Sequence, residues 1–245
     1  MTSSDPALSQ APLQADGISV ARWFGFYAIL LAAALVPLWM LLQQHGASWH
    51  QWRHDFKATF AATPADIKLL VMLIYLSLCT TLLPLPTGWL ITAMATQEAA
   101  IASELWSTTL IVATVGAIGS TIANLNDYHL FTWMLRSRRL GHVRDTRTFQ
   151  ASEKWFQRAP FFILTLFNLI PIPVDVIRLL AIGCRYPRLK FAAANFIGRF
   201  GRYAVFAFVT YWFKLGWVAP VSLLALATVL ALGKLLLPKR KEQRA

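Results

Sequence analysis

Two prolines one residue apart inside an apolar run forbid an undisturbed helix, because each lacks an N–H and clashes with the preceding turn. In this chain the pattern occurs twice, as Leu83-Pro84-Leu85-Pro86-Thr87-Gly88 and as Ile170-Pro171-Ile172-Pro173-Val174-Asp175. Each copy is followed by an apolar stretch holding a GxxG: Gly116 and Gly119 in the first half, Gly198 and Gly201 in the second. A helix broken at corresponding places in two halves is the best sequence pointer to a transport site in a membrane protein. Two proline-kinked helices in an ordinary bundle are the plainer alternative; the repetition favours the functional one.

Composition identifies the solvent. Hydrophobic residues make up 57% of the chain and charged residues 14%, with mean hydropathy +0.51. That is too apolar for a water-soluble domain and implies a bilayer. The formal charge of +12 does not point to nucleic acid, because the basic residues cluster beside apolar segments. Such clusters mark cytoplasmic loops facing anionic lipid headgroups. Two cysteines, Cys79 and Cys184, supply neither a disulfide framework nor a metal-ligand spacing.

Residues 1–22 are expected to form a disordered cytoplasmic N-terminus. They lack the charged start of a cleavable signal, so the apolar run 23–42 is expected to remain as a signal anchor, with Pro37 near its far end. Trp49, Trp52, Phe56 and Phe60 then form an apolar stripe that suits an interfacial helix or, equally, a packed connecting helix; the unit ends near residue 63. A membrane domain is expected over 64–215. It holds the broken stretch 69–96, a span over 105–123, a polar and basic loop over 124–160, the broken stretch 161–184 and a span over 191–213. A last transmembrane helix (217–237) and a basic cytoplasmic tail complete 217–245.

Charge decides the topology. The 124–160 loop carries Arg136, Arg138, Arg139, Arg144, Arg147, Lys154 and Arg158, and with the tail it belongs on the cytoplasmic side. Were all six apolar segments to cross, this loop would lie outside. If both proline-broken segments enter and leave on one side, both termini, the loop and the Arg185, Arg188, Lys190 cluster all lie inside. The expected fold is therefore an all-α integral membrane protein. It is an inverted repeat of two re-entrant helical hairpins, with about four full spans plus an interfacial helix. Tips at Pro84, Pro86, Thr87 and Gly88, and at Pro171 and Pro173, are expected to meet near the midplane. There Thr87 supplies a hydroxyl for freed backbone groups and Gly88 is free to take positive φ.

Non-helical backbone at that depth needs a polar cavity. Asp175, Arg178, Asn195, Arg199 and Arg202 gather in the second half and are the candidate substrate-binding residues. Intramembrane ionisable groups usually face a bundle interior or a water path, and the planar guanidinium fork suits a phosphate. Asp175 can pair with Arg178 or titrate. The structural alternative is an Asp–Arg pair closing the hairpin, with arginines snorkelling to the interface. The first hairpin carries no charged residue between Lys68 and Glu98, so it is expected to act as an apolar gate.

Pro171-Ile172-Pro173-Val174-Asp175, Ala181-Ile182-Gly183, Phe191 and Asn195-Phe196-Ile197-Gly198-Arg199 resemble the second half of the DedA/VTT family, also called SNARE-associated Golgi proteins. Gly116-Ala117-Ile118-Gly119-Ser120 followed by Asp127-Tyr128 resembles the helix after that family's first hairpin. The resemblance covers roughly 64–215. It implies two opposed re-entrant hairpins and movement of phospholipid or polyprenyl-phosphate, often proton-linked in bacterial members, and hence a bacterial inner membrane. The family's second-hairpin acidic position carries over to Asp175, and its arginines to Arg178, Arg199 and Arg202. Many members bear acidic residues in and before the first hairpin; this chain has Thr87-Gly88 there.

Enzyme motifs are missing: there is no HExxH, Walker loop or GxSxG, and His50 and His54 lack a third metal ligand. The expectation is a lipid translocator that is no enzyme, holds no cofactor or metal, and binds membrane lipids with anionic headgroups. Proton coupling and homo-oligomerisation stay open. A non-transporting scaffold and a proton-coupled small-solute transporter are the alternatives.

Overall fold

The computed structural model describes residues 20–44, 56–80, 86–98, 101–136, 147–170 and 175–219, with scattered residues from 221 to 229. Among the described residues all regular structure is helical. In chain order the helices are α1 (Val20–Gln44), α2 (Phe56–Ala62), α3 (Ala65–Leu78), α4 (Gly88–Ala95) and α5 (Leu105–Arg136), then α6 (Arg147–Phe156), α7 (Pro160–Leu169), α8 (Asp175–Gly183) and α9 (Arg188–Trp212).

Two of these, over Val20–Met40 and Leu105–Leu135, are long and apolar enough to cross a bilayer. The third long helix, α9, matches α1 at 25 residues but carries Arg188, Lys190, Arg199 and Arg202. Pro37 lies inside α1. α1 exposes Phe26, Ile29, Leu30, Leu35, Val36, Trp39 and Met40, a surface consistent with lipid rather than water around it. Trp106 and Trp133 are exposed near opposite ends of α5, roughly 40 Å apart at helical rise. That is the separation of two aromatic belts flanking a bilayer core.

The long helices α5 and α9 form the central pair. Ser103 meets Tyr211, Ser120 meets Tyr203, Asn124 meets Asn195 and Tyr128 meets Phe191. Numbers rise on one helix as they fall on the other, so the pair is antiparallel. The expected loop beginning at Asn124 is corrected by this: α5 runs unbroken to Arg136. Its polar residues Asn124, Asn126, Asp127 and His129 are buried against other helices, so they need protein partners rather than water.

Each proline-broken stretch becomes a pair of short helices. On a continuous helix Tyr75 and Trp89 would stand about 21 Å apart. Instead Trp89 Nε1 donates to the Tyr75 hydroxyl at 3.0 Å, and that hydroxyl donates to the Pro86 carbonyl at 2.9 Å. The chain therefore doubles back between α3 and α4. Lys57 Nζ and Glu98 Oε2, 2.8 Å apart, tie the far ends of this hairpin. In the second half Ile163 and Leu164 of α7 share a core with Ile177, Leu180 and Ala181 of α8. Phe156 sits edge-on to Tyr186 at 6.0 Å, joining the segments before and after that hairpin.

Pro84, Pro171 and Pro173 lie outside the described residues, and so do Trp49, Trp52 and most of 217–237. At the described end of the first break two expectations are corrected. Gly88 is the first residue of α4 and does not take positive φ, and Thr87 makes no side-chain capping bond. The Tyr75 hydroxyl satisfies freed backbone there instead. Phe60 is buried against Trp217, ring centroids 5.5 Å apart, and Lys68 Nζ caps the Ala61 carbonyl at 3.0 Å. The described part of the Trp/Phe stripe is thus a packed connector.

Candidate functional site

Close packing on glycine seats both hairpins. A Cβ on Gly119 would stand 3.0 Å from the Leu73 carbonyl of α3, and one on Gly198 would stand 2.5 Å from the Thr165 carbonyl of α7. In each half, then, the long helix presses a glycine on the backbone of the first hairpin arm. Gly116 faces Ile91 and Tyr203, and Gly201 faces the end of Leu169. The second arms cross over: α4 packs on α9, and α8 packs on α5.

Arg188, Asn195, Arg199 and Arg202 fall within about 60° of one another around α9. Arg199 is 8% exposed, so the expected snorkelling alternative does not describe it. Its Nη1 reaches the Tyr203 hydroxyl at 3.4 Å, and that hydroxyl is already committed to Ser120 Oγ at 2.6 Å. The Nε atoms of Arg199 and Arg202 are buried and have no hydrogen-bond partner among the described residues. Arg202 lies over the Phe206 ring, 5.6 Å from its centroid, and within Coulombic reach of Arg199. Among the described residues neither arginine has a carboxylate in ion-pair range.

The helix ends that precede the two breaks border this turn of α9. Cys79, which ends α3, lies within Coulombic reach of Arg199, and Leu169, which ends α7, abuts Gly201. Beside them, Asn168 Oδ1 is another buried atom without a partner.

Arg178 has a partner on the central helix pair. Its Nη1 donates to Asp127 Oδ2 on α5 at 3.0 Å, with both side chains almost fully buried. Asp175 begins α8, and its side chain lies outside the described residues. Asn195 accepts from Asn124 Nδ2 at 2.8 Å and donates to the Phe191 carbonyl at 2.7 Å, which makes it a bridge between the long helices.

Sequence reasoning missed Asn124, Tyr203 and Asn168, and it took Ser120 and Asp127 only as parts of a motif. A signal was present. Ser120, Asn124 and Asp127 recur at i, i+4 and i+7, the spacing of one helix face, and reading α5 through its polar half would have found them.

Two neighbouring guanidinium groups on one largely buried turn have no carboxylate in ion-pair range among the described residues, so nothing described there compensates their positive charge. Burial of that kind is costly unless an anion supplies the missing acceptors, and a phosphate offers several.

The VTT domain family is matched over residues 71–212, a span that contains both breaks, the central helix pair and every residue of this turn. No curated protein and no solved structure matches the chain.

Proposed function

The chain belongs to the VTT domain family, and from that premise we propose that it translocates phosphate-bearing lipids across a membrane. The headgroup phosphate binds at Arg199 and Arg202 between two opposed re-entrant hairpins. The observation that carries this reading is the pair of Arg199, buried, and Arg202, half-buried, with no carboxylate in ion-pair range among the described residues, lying where the helix ends before the two breaks approach one turn of α9.

Lengths support re-entrance. α3 with 14 residues, α4 with 8, α7 with 10 and α8 with 9 are each shorter than the roughly 20 residues a bilayer core requires. Opposed access is supported by the closures. Lys57–Glu98 lies at the open end of the first hairpin, and Trp217 beyond the C-terminal end of α9 packs on Phe60 beside it. The Phe156–Tyr186 closure lies instead where the Tyr128 hydroxyl donates to the Tyr186 carbonyl, beside the N-terminal end of α9. Taken with the basic residues of 136–158 and the tail, these closures support a reading in which the second hairpin and both termini face the cytoplasmic side of a bacterial inner membrane. The protein acts as a carrier and carries out no bond chemistry. Arg178–Asp127 then pins the second hairpin to the central pair, and proton exchange at Asp175 remains part of the proposal.

The test is leaflet exchange of a fluorescent phospholipid in liposomes containing the purified protein. Wild type is expected to exchange well above protein-free vesicles, and Arg199→Gln/Arg202→Gln is expected to fall to the protein-free rate. Its melting temperature should stay equal or rise, because an uncompensated buried charge has been removed. Exchange equal to wild type in the double variant overturns the phosphate role. Wild-type exchange no faster than in empty vesicles overturns translocation.

A further inference from the structure

A second pair of buried nitrogens lies apart from Arg199 and Arg202. His129 on α5 is 4% exposed, and its Nε2 has no hydrogen-bond partner among the described residues. Arg188 opens α9, its Nη1 is buried in the same condition, and it lies within Coulombic reach of the imidazole. The imidazole is clamped. Trp23 stacks on it at 4.6 Å with planes 20° apart, while Trp23 Nε1 donates to Asn126 Oδ1 at 2.9 Å, and Tyr128 approaches edge-on at 5.8 Å. A ring held on two sides has a fixed edge. With its proton on Nε2, that edge is a donor without an acceptor, and so is the neighbouring guanidinium.

We propose that His129 and Arg188 form a second station for a phosphate group, near the C-terminal end of α5. A charge-assisted bond from Arg188 and a bond from His129 Nε2 are the two contacts such a group needs to be held in place. Arg188 precedes Arg199 by 11 residues, about 16 Å along the helix, so one phosphate cannot occupy both places. The two stations share the face of α9 that also carries Asn195. A headgroup moving along that face passes from one to the other. This route rests on the translocation reading, whereas the station itself does not. Trp23 lies outside the matched 71–212 span, so α1 contributes to the station from beyond the family domain.

The experiment is NMR of histidine-labelled full-length protein in phosphatidylcholine nanodiscs, with the His129 signal assigned by its loss in His129→Asn. The probes are inorganic phosphate, dihexanoyl phosphatidic acid and dihexanoyl phosphatidylcholine. The His129 signal is expected to move with phosphatidic acid, with at least tenfold weaker binding in Arg188→Gln and unchanged binding in Arg199→Gln. A response to inorganic phosphate as well assigns the station to the phosphate group itself, and a response to phosphatidic acid alone assigns it to a lipid headgroup; both uphold it. If Arg188→Gln does not fold, Arg188→Lys takes its place, and several-fold weaker binding is expected because a compact ammonium lacks the guanidinium fork. A His129 signal that ignores every probe, or binding unchanged by the Arg188 variant, overturns the station. Leaflet exchange with a silent His129 strikes only the station, and a responsive His129 without leaflet exchange strikes only translocation.

Discussion

Around the first break, α3 and α4 are joined by neutral groups: the Tyr75 hydroxyl, the Trp89 indole N–H and the Pro86 carbonyl. Tyr27 links α1 to this hairpin through Ser77, with hydroxyl contacts at 3.1 Å. Around the second break, α8 is fastened to the central pair by a buried charge pair, Arg178 with Asp127, and α7 is seated by backbone-to-glycine contact at Gly198. The same proline device is therefore stabilised in one half by dispersed, individually modest bonds and in the other by a few contacts that tolerate little change. A neutral hairpin can lie beside Arg199 without consuming its charge, whereas a carboxylate there would occupy the place proposed for the anion.

The sharpest way to break this comparison is at the glycines. Gly198→Val puts a Cβ 2.5 Å from a backbone carbonyl that cannot rotate away, and loss of folded, monodisperse protein is expected. Gly119→Ala meets its neighbours at 3.0 Å and is expected to cost about 1–3 kcal/mol. Detergent-solubilised melts compare the two, and equal tolerance would show that the halves are seated alike.

Next in size is the buried pair. Arg178→Met removes the guanidinium from a buried Asp127, at an expected cost of about 3–5 kcal/mol, and Asp127→Leu added to it should recover most of the loss. Lack of recovery in chemical-denaturation curves would mean that Arg178 acts through more than its charge partner. Arg178→Lys is expected to lie between, because the charge persists while the fork is lost.

Tyr75→Phe removes two hydrogen bonds, to the Pro86 carbonyl and from Trp89 Nε1, with an expected cost of about 1–2 kcal/mol in the same melts. A cost as large as that of Arg178→Met would erase the distinction between the hairpins. The smallest effect is expected at Lys57→Ala. Both partners of its ion pair are about half exposed, so a loss under about 1 kcal/mol is expected, shrinking further in high salt.

Much of this was legible in one dimension. The broken stretches, the apolar runs and the GxxG pairs follow from local chemistry, since proline's missing N–H and glycine's missing Cβ act wherever the chain goes. Arg178, Arg199 and Arg202 stood out because charge is rare in such runs. Their roles were harder to read. Asp127 looked like the opening of a loop because apolar composition ends near Ala123, yet a helix buried by other helices does not need apolar composition to continue. Gly88 suggested a positive φ, but that freedom went unused once α4 began there.

The sequence by itself determined that this chain is helical, built for a bilayer and interrupted twice, because each of those properties is set by residues and their near neighbours. Only the tertiary structure decided which cations are neutralised and which are not. Arg178 finds a carboxylate 51 positions away, while among the described residues Arg199, one helix later, finds the hydroxyl of Tyr203 and no carboxylate. Charge pairing depends on distances of a few ångströms between separate helices, and nothing in the local pattern of either segment fixes those distances.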